Sequence, residues 1–235
     1  MPTFLDPGFL CIGHRGAGGL APENTLPGFA LALELGVDAI ELDVHCCEDE
    51  LVVIHDDDLA RTTNGRGRVA NSTLATVRAL DAGNGARVPL LSEVLDLVGT
   101  ATAVNIELKG AGTAGPVIDL LRARSAAPEQ FLLSAFDHAE LQAARTAAPE
   151  FPRGALFGRL LGDPVAAARA VSAVSVNLAR QTVKAPLLTA IRAAGLHCFV
   201  YTVNDMDQAE RFAAMGVAGV FTDYPDRLLA ALGRA

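Results

Sequence analysis

The sequence lacks the segments that would tie it to a membrane or to an export route. None of its apolar runs approaches the roughly 18 residues that a membrane-spanning helix needs. The stretch from Met1 to Gly8 has neither the basic region nor the apolar region of a secretory signal peptide. We therefore expect a cytoplasmic protein without a membrane anchor.

Basic charge and paired cysteines are also scarce. The chain has 19 Lys and Arg against 27 Asp and Glu, a formal net charge of −8. A surface of this sign repels nucleic-acid phosphates and anionic lipid headgroups, so we expect neither as a partner. The cysteines contain no C-x-x-C pair, and we expect buried free thiols rather than disulfides or metal ligands at Cys11, Cys46, Cys47 and Cys198.

What the sequence does have is enough apolar material for one large core. Of its 235 residues, 51% are hydrophobic and 20% are charged, which excludes an intrinsically disordered chain. Short runs rich in Val, Ile, Leu or Phe alternate with alanine-rich stretches of helical pattern. The runs predict eight strands: Phe9 to Gly13, Val37 to His45, Ala103 to Leu108, Gln130 to Ser134, Arg153 to Phe157, Ala173 to Asn177, Leu196 to Tyr201 and Gly219 to Thr222.

Eight strand and helix units predict one closed (β/α)8 barrel, a TIM barrel, over residues 1–235. Among the predicted helices, Ser92 to Val98 has Ser92 as a simple N-cap, and Gly36 stands where a helix C-cap belongs. The alternative is an open, doubly wound sheet, which needs a G-x-G-x-x-G loop after its first strand. Gly13 to Leu20 instead reads G-H-R-G-A-G-G-L, which favours the barrel.

One connection is much longer than the others. After a second short apolar run, Leu51 to Ile54, the stretch from Asp56 to Pro89 is polar and rich in glycine. Loops of this length are uncommon in compact domains and often have a function. We predict a small insertion after the second strand, with residues 56–89 forming a lid or small subdomain. The alternative is a surface insertion that is merely tolerated.

Three carboxylates are predicted at the carboxyl ends of strands, where barrel enzymes carry their catalytic groups. Glu41 and Asp43 share one face of the second strand, and Glu107 lies near the end of the third. Crowded carboxylates repel each other, so they need a cation between them or cationic side chains beside them. Their oxygens suit one divalent cation, Mg²⁺ or Ca²⁺. The alternative is a salt-bridge cluster with Arg15 and Lys109.

Two histidines accompany these carboxylates at strand ends. His14 follows the first strand, and His55 follows the apolar run after the second. Imidazole titrates near neutral pH, so one ring can act as a base and the other as an acid. A zinc hydrolase with both as ligands is a weaker alternative, because amidohydrolase-type barrels open with H-x-H and here Arg15 and Gly16 follow His14. We expect the remaining histidines to be structural or peripheral: His45, His138 and His197.

Seven short motifs occur in order along nearly the whole chain, from about residue 10 to residue 226. They are H-R-G-A-x-x-x-x-P-E-N-T (His14 to Thr25), G-V-D-A-I-E-L-D-V (Gly36 to Val44), V-V-I-H-D (Val52 to Asp56), R-T-T-N-G (Arg61 to Gly65), L-D-A-G (Leu80 to Gly83), I-E-L-K (Ile106 to Lys109) and T-D-Y-P (Thr222 to Pro225). Together they resemble the glycerophosphodiester phosphodiesterase family. An ordered set of this kind is far more specific than any single motif.

The resemblance implies a (β/α)8 barrel with a small insertion after the second strand. It also implies metal-dependent hydrolysis of small-molecule glycerophosphodiesters to sn-glycerol 3-phosphate and an alcohol. The roles that it implies are His14 and His55 as the acid–base pair, Arg15 as a phosphate ligand, Lys109 as a substrate contact, and Glu41, Asp43 and Glu107 as ligands of one divalent cation.

The nucleophile and the direction of proton transfer stay open. Water attacks the phosphorus directly, or the substrate's glycerol 2-hydroxyl attacks it and gives a cyclic phosphate. Either histidine can be the base, and we favour His14. Phe136 and Tyr201 are expected as walls for the glycerol or alcohol part of the substrate, with core packing as the alternative.

Some departures from the family's pattern bear on substrate preference. Cys46 to Glu50 stand where relatives usually carry T-x-D-G, and Tyr201 stands where a Trp is frequent. Pro89 to Leu95 reads P-L-L-S-E-V-L in place of P-T-L-E-E-V-L. Two other functions stay possible: a lysophospholipase D, which the acidic surface disfavours, and a catalytically idle phosphate-binding barrel. The preferred alcohol and the oligomeric state are open.

Overall fold

The computed structural model describes residues 3–5 and 8–234. Strands recur along the whole of this chain, with helices between most of them. In chain order the strands are β1 (Leu10–Gly13), β2 (Ala39–Cys47), β3 (Glu50–Val53), β4 (Ala103–Leu108), β5 (Phe131–Ala135), β6 (Arg153–Phe157), β7 (Ser175–Ala179), β8 (His197–Tyr201) and β9 (Gly219–Thr222).

Eight of these strands form a closed parallel barrel. β1 pairs in parallel with β9 on one side and with β2 on the other, which closes the ring. The sheet runs in the order β1-β9-β8-β7-β6-β5-β4-β2, and β3 pairs antiparallel with the end of β2. The predicted (β/α)8 barrel is confirmed, and the open-sheet alternative is wrong.

Each barrel strand is followed by a helix before the next barrel strand begins. The helices are α1 (Leu26–Leu35), α2 (Leu74–Ala79), α3 (Leu91–Val98), α4 (Ala114–Ala123), α5 (His138–Ala147), α6 (Pro164–Ala170), α7 (Ala185–Ala193), α8 (Met206–Ala214) and α9 (Pro225–Ala231). Of these, α2 lies within the long connection after β3.

The ends of the helices follow local chemistry, with one exception to the predictions. Gly36 ends α1 in the left-handed region, with φ 79°, as its position predicted. The prediction of Ser92 as an N-cap is wrong, because α3 begins at Leu91. There the Glu93 carboxylate accepts a hydrogen bond from the Leu90 backbone N–H at 2.8 Å, so the start of the helix is capped from within its first turn.

Two strands begin two residues later than their apolar runs predicted. β2 covers Ala39–Cys47 instead of Val37 to His45, and β7 covers Ser175–Ala179 instead of Ala173 to Asn177. A strand begins at its first residue paired with a neighbouring strand, whereas an apolar run also includes buried residues that precede this pairing. At its other end β2 is extended, because Cys46 and Cys47 pair with β3.

The inward faces of the barrel strands change character along their length. On β2 the inward positions read Ala39, Glu41 and Asp43, while Ile40 and Leu42 pack outward in the core between barrel and helices. On β4 and β5 the inward face likewise has small or apolar residues at the amino end and polar residues toward the carboxyl end. The interior of the barrel is therefore filled by apolar side chains at one end and lined by polar side chains at the other.

The long connection has a small apolar cluster of its own. Its members are buried and come from β2, β3 and the connection: Cys47, Val52, Ile54, Leu59, Val69, Val77, Ala82 and Val88. Arg78 on α2 ties this segment to α3, since its guanidinium donates to both oxygens of the Glu93 carboxylate at 2.7 and 2.6 Å. The role of residues 56–89 as a lid stays a prediction.

The four cysteines are free thiols, as predicted, and Cys11, Cys47 and Cys198 are buried. Cys46 is only partly buried, because it lies where β2 extends past the barrel, with its sulfur 3.9 Å from the Gly112 carbonyl. Within residues 3–5 and 8–234, no helix is long and apolar enough to cross a membrane.

The apolar end of the barrel is plugged by the side chain of Phe4. This side chain is fully buried, and its ring lies edge-on to Phe199 at 5.6 Å between centroids. We expect Phe4→Ala to lower the free energy of unfolding by about 3 kcal/mol, because it leaves a cavity inside the barrel. The measurement is chemical denaturation.

The neighbouring Leu5 provides a matched control, since its side chain is 44% exposed. Leu5→Ala should change the free energy of unfolding by no more than about 0.5 kcal/mol. Equal effects of the two substitutions would contradict the assignment of Phe4 as the plug.

Candidate active site

The polar end of the barrel contains a cavity of about 240 Å³. Seven of the nine predicted site residues reach this cavity. They are His14, Arg15, Glu41, His55, Glu107, Phe136 and Tyr201. The other two, Asp43 and Lys109, lie directly behind the carboxylates that line it. The structure therefore brings the predicted residues together at one place.

The three predicted metal-ligating carboxylates form one buried cluster. Each of Glu41, Asp43 and Glu107 offers an oxygen, and these oxygens lie within 4.8 Å of one another. Strand register creates this arrangement, because Asp43 on β2 is paired with Glu107 on β4, while Glu41 lies two residues back on the same face. Neighbouring parallel strands thus bring the side chains of all three within reach of one another.

Burial and mutual repulsion act on the protonation of this cluster. Burial, together with the charge of Asp43, raises the pKa of Glu41 to about 8 and raises the pKa of Glu107. Burial alone would also raise the pKa of Asp43, but Lys109 and Arg15 outweigh it and hold that pKa below its usual range. Near neutral pH, the cluster of the metal-free protein therefore holds a proton on Glu41, which a cation would displace.

The donor set fits a hard divalent cation. It consists of carboxylate oxygens, and one of them, Oδ1 of Asp43, is buried without a hydrogen-bond partner among the described residues. The ammonium of Lys109 is 3.7 Å from this oxygen. A buried acceptor without a donor is costly, and coordination of a cation would satisfy it.

The other oxygen of Asp43 is held by Asn24. The Asn24 side-chain amide donates to Oδ2 of Asp43 at 2.9 Å and accepts from the Asp43 backbone N–H at 3.3 Å. This pair of bonds fixes the rotamer of the carboxylate and leaves Oδ1 as its unpaired oxygen. Asn24 belongs to the P-E-N-T motif, but nothing in the sequence assigns it this contact.

His14 is oriented by a carboxylate from the far end of the chain. Its Nδ1 lies 2.7 Å from Oδ1 of Asp223, which follows β9. Burial alone would lower the pKa of His14, but the hydrogen bond to Asp223 and the charge of Glu41 outweigh it and raise that pKa. Asp223 is held in turn by the Asn204 amide, which donates to it at 2.6 Å.

His55 is oriented by the residue that follows it. Its Nδ1 lies 2.5 Å from Oδ1 of Asp56, and the Nε2 of His45 lies 3.2 Å from its backbone carbonyl. Burial lowers the pKa of His55, and the opposing charge of Asp43 and the bond to Asp56 do not restore it. In both rings Nδ1 is bound to a carboxylate, so Nε2 is the nitrogen that can accept or donate a proton.

Arg15 lies between the acidic cluster and a further carboxylate. Its backbone N–H donates to Glu41 at 2.9 Å, its Nη1 donates to Glu23 at 2.7 Å, and its Nε is 3.4 Å from Asp43. The backbone has φ 53° at this residue, in the left-handed region, which turns its N–H toward β2. The guanidinium is therefore held by acidic groups on two sides.

The two predicted aromatic residues line the opposite side of the cavity, and Lys109 lies next to them behind Glu107. The Lys109 ammonium donates to Glu107 at 2.8 Å and lies 5.8 Å from the centre of the Phe136 ring. The Phe136 and Tyr201 rings meet edge-to-face at 5.9 Å. Because Phe136 is 47% exposed, core packing does not account for its position.

The residues that the sequence reasoning missed are the ones that hold the predicted side chains. Asp223 orients His14, Asp56 orients His55, and Glu23 holds Arg15. Each lies inside one of the seven motifs, which is the signal that could have found it. The pairing of Asp223 with His14 could not be found in this way, because the two residues are 209 positions apart.

Comparison with known proteins agrees with this geometry. Residues 14–227 match the model of the Glycerophosphoryl diester phosphodiesterase family. A glycerophosphodiester phosphodiesterase of Caldanaerobacter subterraneus is 36% identical, over 94% of this chain and 96% of its own.

Solved structures include a phosphodiesterase of Oleispira antarctica in complex with the product sn-glycerol-3-phosphate. It has a TM-score of 0.91 and 28% identity, over 95% of this chain and 96% of its own. A glycerophosphodiester phosphodiesterase of Agrobacterium tumefaciens has a TM-score of 0.84 and 33% identity, over 94% of this chain and 99% of its own. The family match covers the cavity, its carboxylate cluster and both oriented histidines, and the chain belongs to the glycerophosphoryl diester phosphodiesterase family.

Proposed function

We propose that this protein hydrolyses glycerophosphodiesters to sn-glycerol 3-phosphate and an alcohol. The observation that carries the proposal is one cavity that joins a buried three-carboxylate cluster to two histidines, each with a carboxylate on Nδ1. The relative from Oleispira antarctica, which binds the product sn-glycerol-3-phosphate, supports the same substrate class. Family membership supports the reaction class.

The residues that would hold a divalent cation are Glu41, Asp43 and Glu107. An all-oxygen donor set suits Mg²⁺ and Ca²⁺ rather than a softer metal. When bound, the cation would supply positive charge beside the phosphate and lower the cost of the charge that develops there. It would also displace the proton that burial retains on Glu41.

Two cationic side chains, Arg15 and Lys109, would neutralise the charge of the phosphate. Arg15 borders the cavity and presents a planar guanidinium that suits bidentate contact with phosphate oxygens. Lys109 acts as a point charge beside Glu107. A phosphodiester anion resists attack by its own charge, so these groups stabilise the additional charge of the transition state.

The histidines move the proton. The directions of their pKa shifts favour His55, whose pKa is lowered, as the neutral base, and His14, whose pKa is raised, as the protonated acid. This is the reverse of the assignment that we favoured from the sequence. Part of the raised pKa of His14 comes from Glu41 and would be lost on metal binding, whereas the part from Asp223 would stay.

The alcohol side of the substrate would lie against the aromatic pair. The rings of Phe136 and Tyr201 form one wall of the cavity, and the exposed part of Phe136 extends this wall toward solvent. An apolar wall of this kind would make van der Waals contacts with the carbon atoms of glycerol or of the leaving alcohol. Such contacts do not require the alcohol to carry a charge.

The function and the metal are tested together with glycerophosphocholine. Excess chelator should abolish release of sn-glycerol 3-phosphate, and Mg²⁺ or Ca²⁺ should restore it. Because protons on Glu41 compete with the metal, the apparent Kd should tighten from about pH 6 to about pH 8 and then level off. Calorimetry measures the Kd and the protons released.

The matched variants are Asp43→Asn in the cluster and Glu34→Gln at an exposed position of α1. The first should weaken metal binding, and the second should leave it unchanged. Full turnover in excess chelator would contradict the metal site. Faster turnover of lysophosphatidylcholine than of glycerophosphocholine would favour the lysophospholipase D alternative.

The roles of the histidines are tested by Asp223→Asn. Removing this charge lowers the pKa of His14. If His14 is the acid, the alkaline limb of the pH profile of kcat/KM should move to lower pH. If His14 is the base, the acidic limb should move to lower pH instead. Asp207→Asn, at an exposed position of α8, is the control and should move neither limb.

The nucleophile is tested with a 2-deoxy analogue of glycerophosphocholine. If the glycerol 2-hydroxyl attacks the phosphorus, the analogue should bind with similar affinity but turn over more slowly by on the order of 10²-fold or more, because an intramolecular nucleophile is lost. Single-turnover experiments should then detect cyclic glycerophosphate. Equal turnover of both substrates without a cyclic species would establish direct attack by water.

A further inference from the structure

The guanidinium of Arg61 joins two carboxylates beside the cavity. Arg61 lies in the connection after β3 and does not line the cavity itself. Its Nε and Nη2 donate to the Asp56 carboxylate at 2.5 and 3.1 Å, and its Nη1 and Nη2 donate to the Glu23 carboxylate at 2.9 and 2.8 Å. All three nitrogens are therefore engaged, and they hold two acidic groups that come from different loops.

Each of these carboxylates holds a side chain of the active site. Asp56 binds Nδ1 of His55 at 2.5 Å, and Glu23 accepts from Nη1 of Arg15 at 2.7 Å. We propose that Arg61 is a positioning residue that orients His55 through Asp56 and Arg15 through Glu23. The importance of this for catalysis rests on the function proposed above.

The geometry explains why one arginine suits this position. A planar guanidinium can bind two carboxylates with parallel bonds and so fixes the rotation of both, whereas an ammonium acts as a single point charge. The hydrogen bond from Arg61 lowers the pKa of Asp56. Burial alone would raise the pKa of Glu23, but Arg61 and Arg15 outweigh it and lower that pKa. Both carboxylates are thus kept ionised and able to accept hydrogen bonds from His55 and Arg15.

A second explanation is that Arg61 merely tethers the connection to the barrel. Its side chain is 46% exposed, and ion pairs at exposed positions contribute little to stability. Misplacing a catalytic group by about 1 Å, in contrast, can lower turnover by about 10²-fold. The two explanations therefore differ in whether kinetics or stability changes.

The test compares Arg61→Met with Arg66→Met. Arg66 is exposed in the same connection, and no hydrogen bond or ion pair joins it to another described residue. We expect Arg61→Met to lower kcat for glycerophosphocholine by about 10- to 100-fold and to raise KM, with Tm nearly unchanged. Arg66→Met should stay within about twofold of the unmodified protein in all three quantities.

Chemical rescue separates positioning from a general loss of structure. Guanidinium ions at non-denaturing concentration should restore several-fold of the activity of Arg61→Ala, while ammonium ions at the same ionic strength should not. Arg61→Lys should recover only part of the activity, because its ammonium cannot bind both carboxylates in parallel. Failure of guanidinium to rescue Arg61→Ala would overturn the proposal.

Two readouts do not depend on turnover. Nitrogen NMR of the His55 ring should show a single Nδ1-protonated tautomer in the unmodified protein and a mixture in Arg61→Met. Binding of sn-glycerol 3-phosphate should weaken several-fold in the same variant. An inactive unmodified protein that shows this tautomer change would refute the proposed function and leave the role of Arg61 standing. An unchanged tautomer, or a large fall in Tm with unchanged kcat, would overturn that role.

Discussion

The burial of three carboxylates at one end of the barrel is the constraint on which the site depends. Burial and the charge of Asp43 raise the pKa of Glu41 to about 8, so the cluster cannot be fully ionised near neutral pH without added positive charge. Arg15 and Lys109 supply part of that charge from two sides. The same positive charges, together with a divalent cation, would make the cavity a place for a phosphate anion.

The groups around this carboxylate cluster are brought there by the closure of the barrel and by the connection after β3. Because β9 pairs with β1, Asp223 comes to lie against His14. The connection supplies Asp56, whose carboxylate binds Nδ1 of His55. It also has its own apolar cluster, so this polar and glycine-rich segment packs against the barrel. At the opposite end, Phe4 and other apolar residues fill the interior. Each of the two histidines at the cavity is therefore held by a carboxylate, one just after β9 and one at the start of the connection.

Much of the fold could be predicted because barrel strands are local patterns. All eight predicted barrel strands are present, and three of them have the predicted bounds: Ala103–Leu108, Arg153–Phe157 and Gly219–Thr222. The errors in the predicted bounds arise where hydrogen bonding between segments, rather than local composition, decides where an element begins or ends. β2 gained two residues at its end from the hairpin with β3, where Glu48 takes φ 52° in the left-handed region. The cap of α3 came from Glu93 rather than Ser92, because a longer carboxylate reaches back to the helix start.

The sequence by itself determined which side chains face the inside of the barrel. Two-residue periodicity on β2 separates Glu41 and Asp43 from Leu42, and this follows from the geometry of an extended backbone alone. Only the tertiary structure decided which group holds each of them and in which direction their pKa values move. Hydrogen bonds such as that between His14 and Asp223 join positions 209 residues apart, and burial depends on every neighbouring element, so neither is encoded in a local pattern.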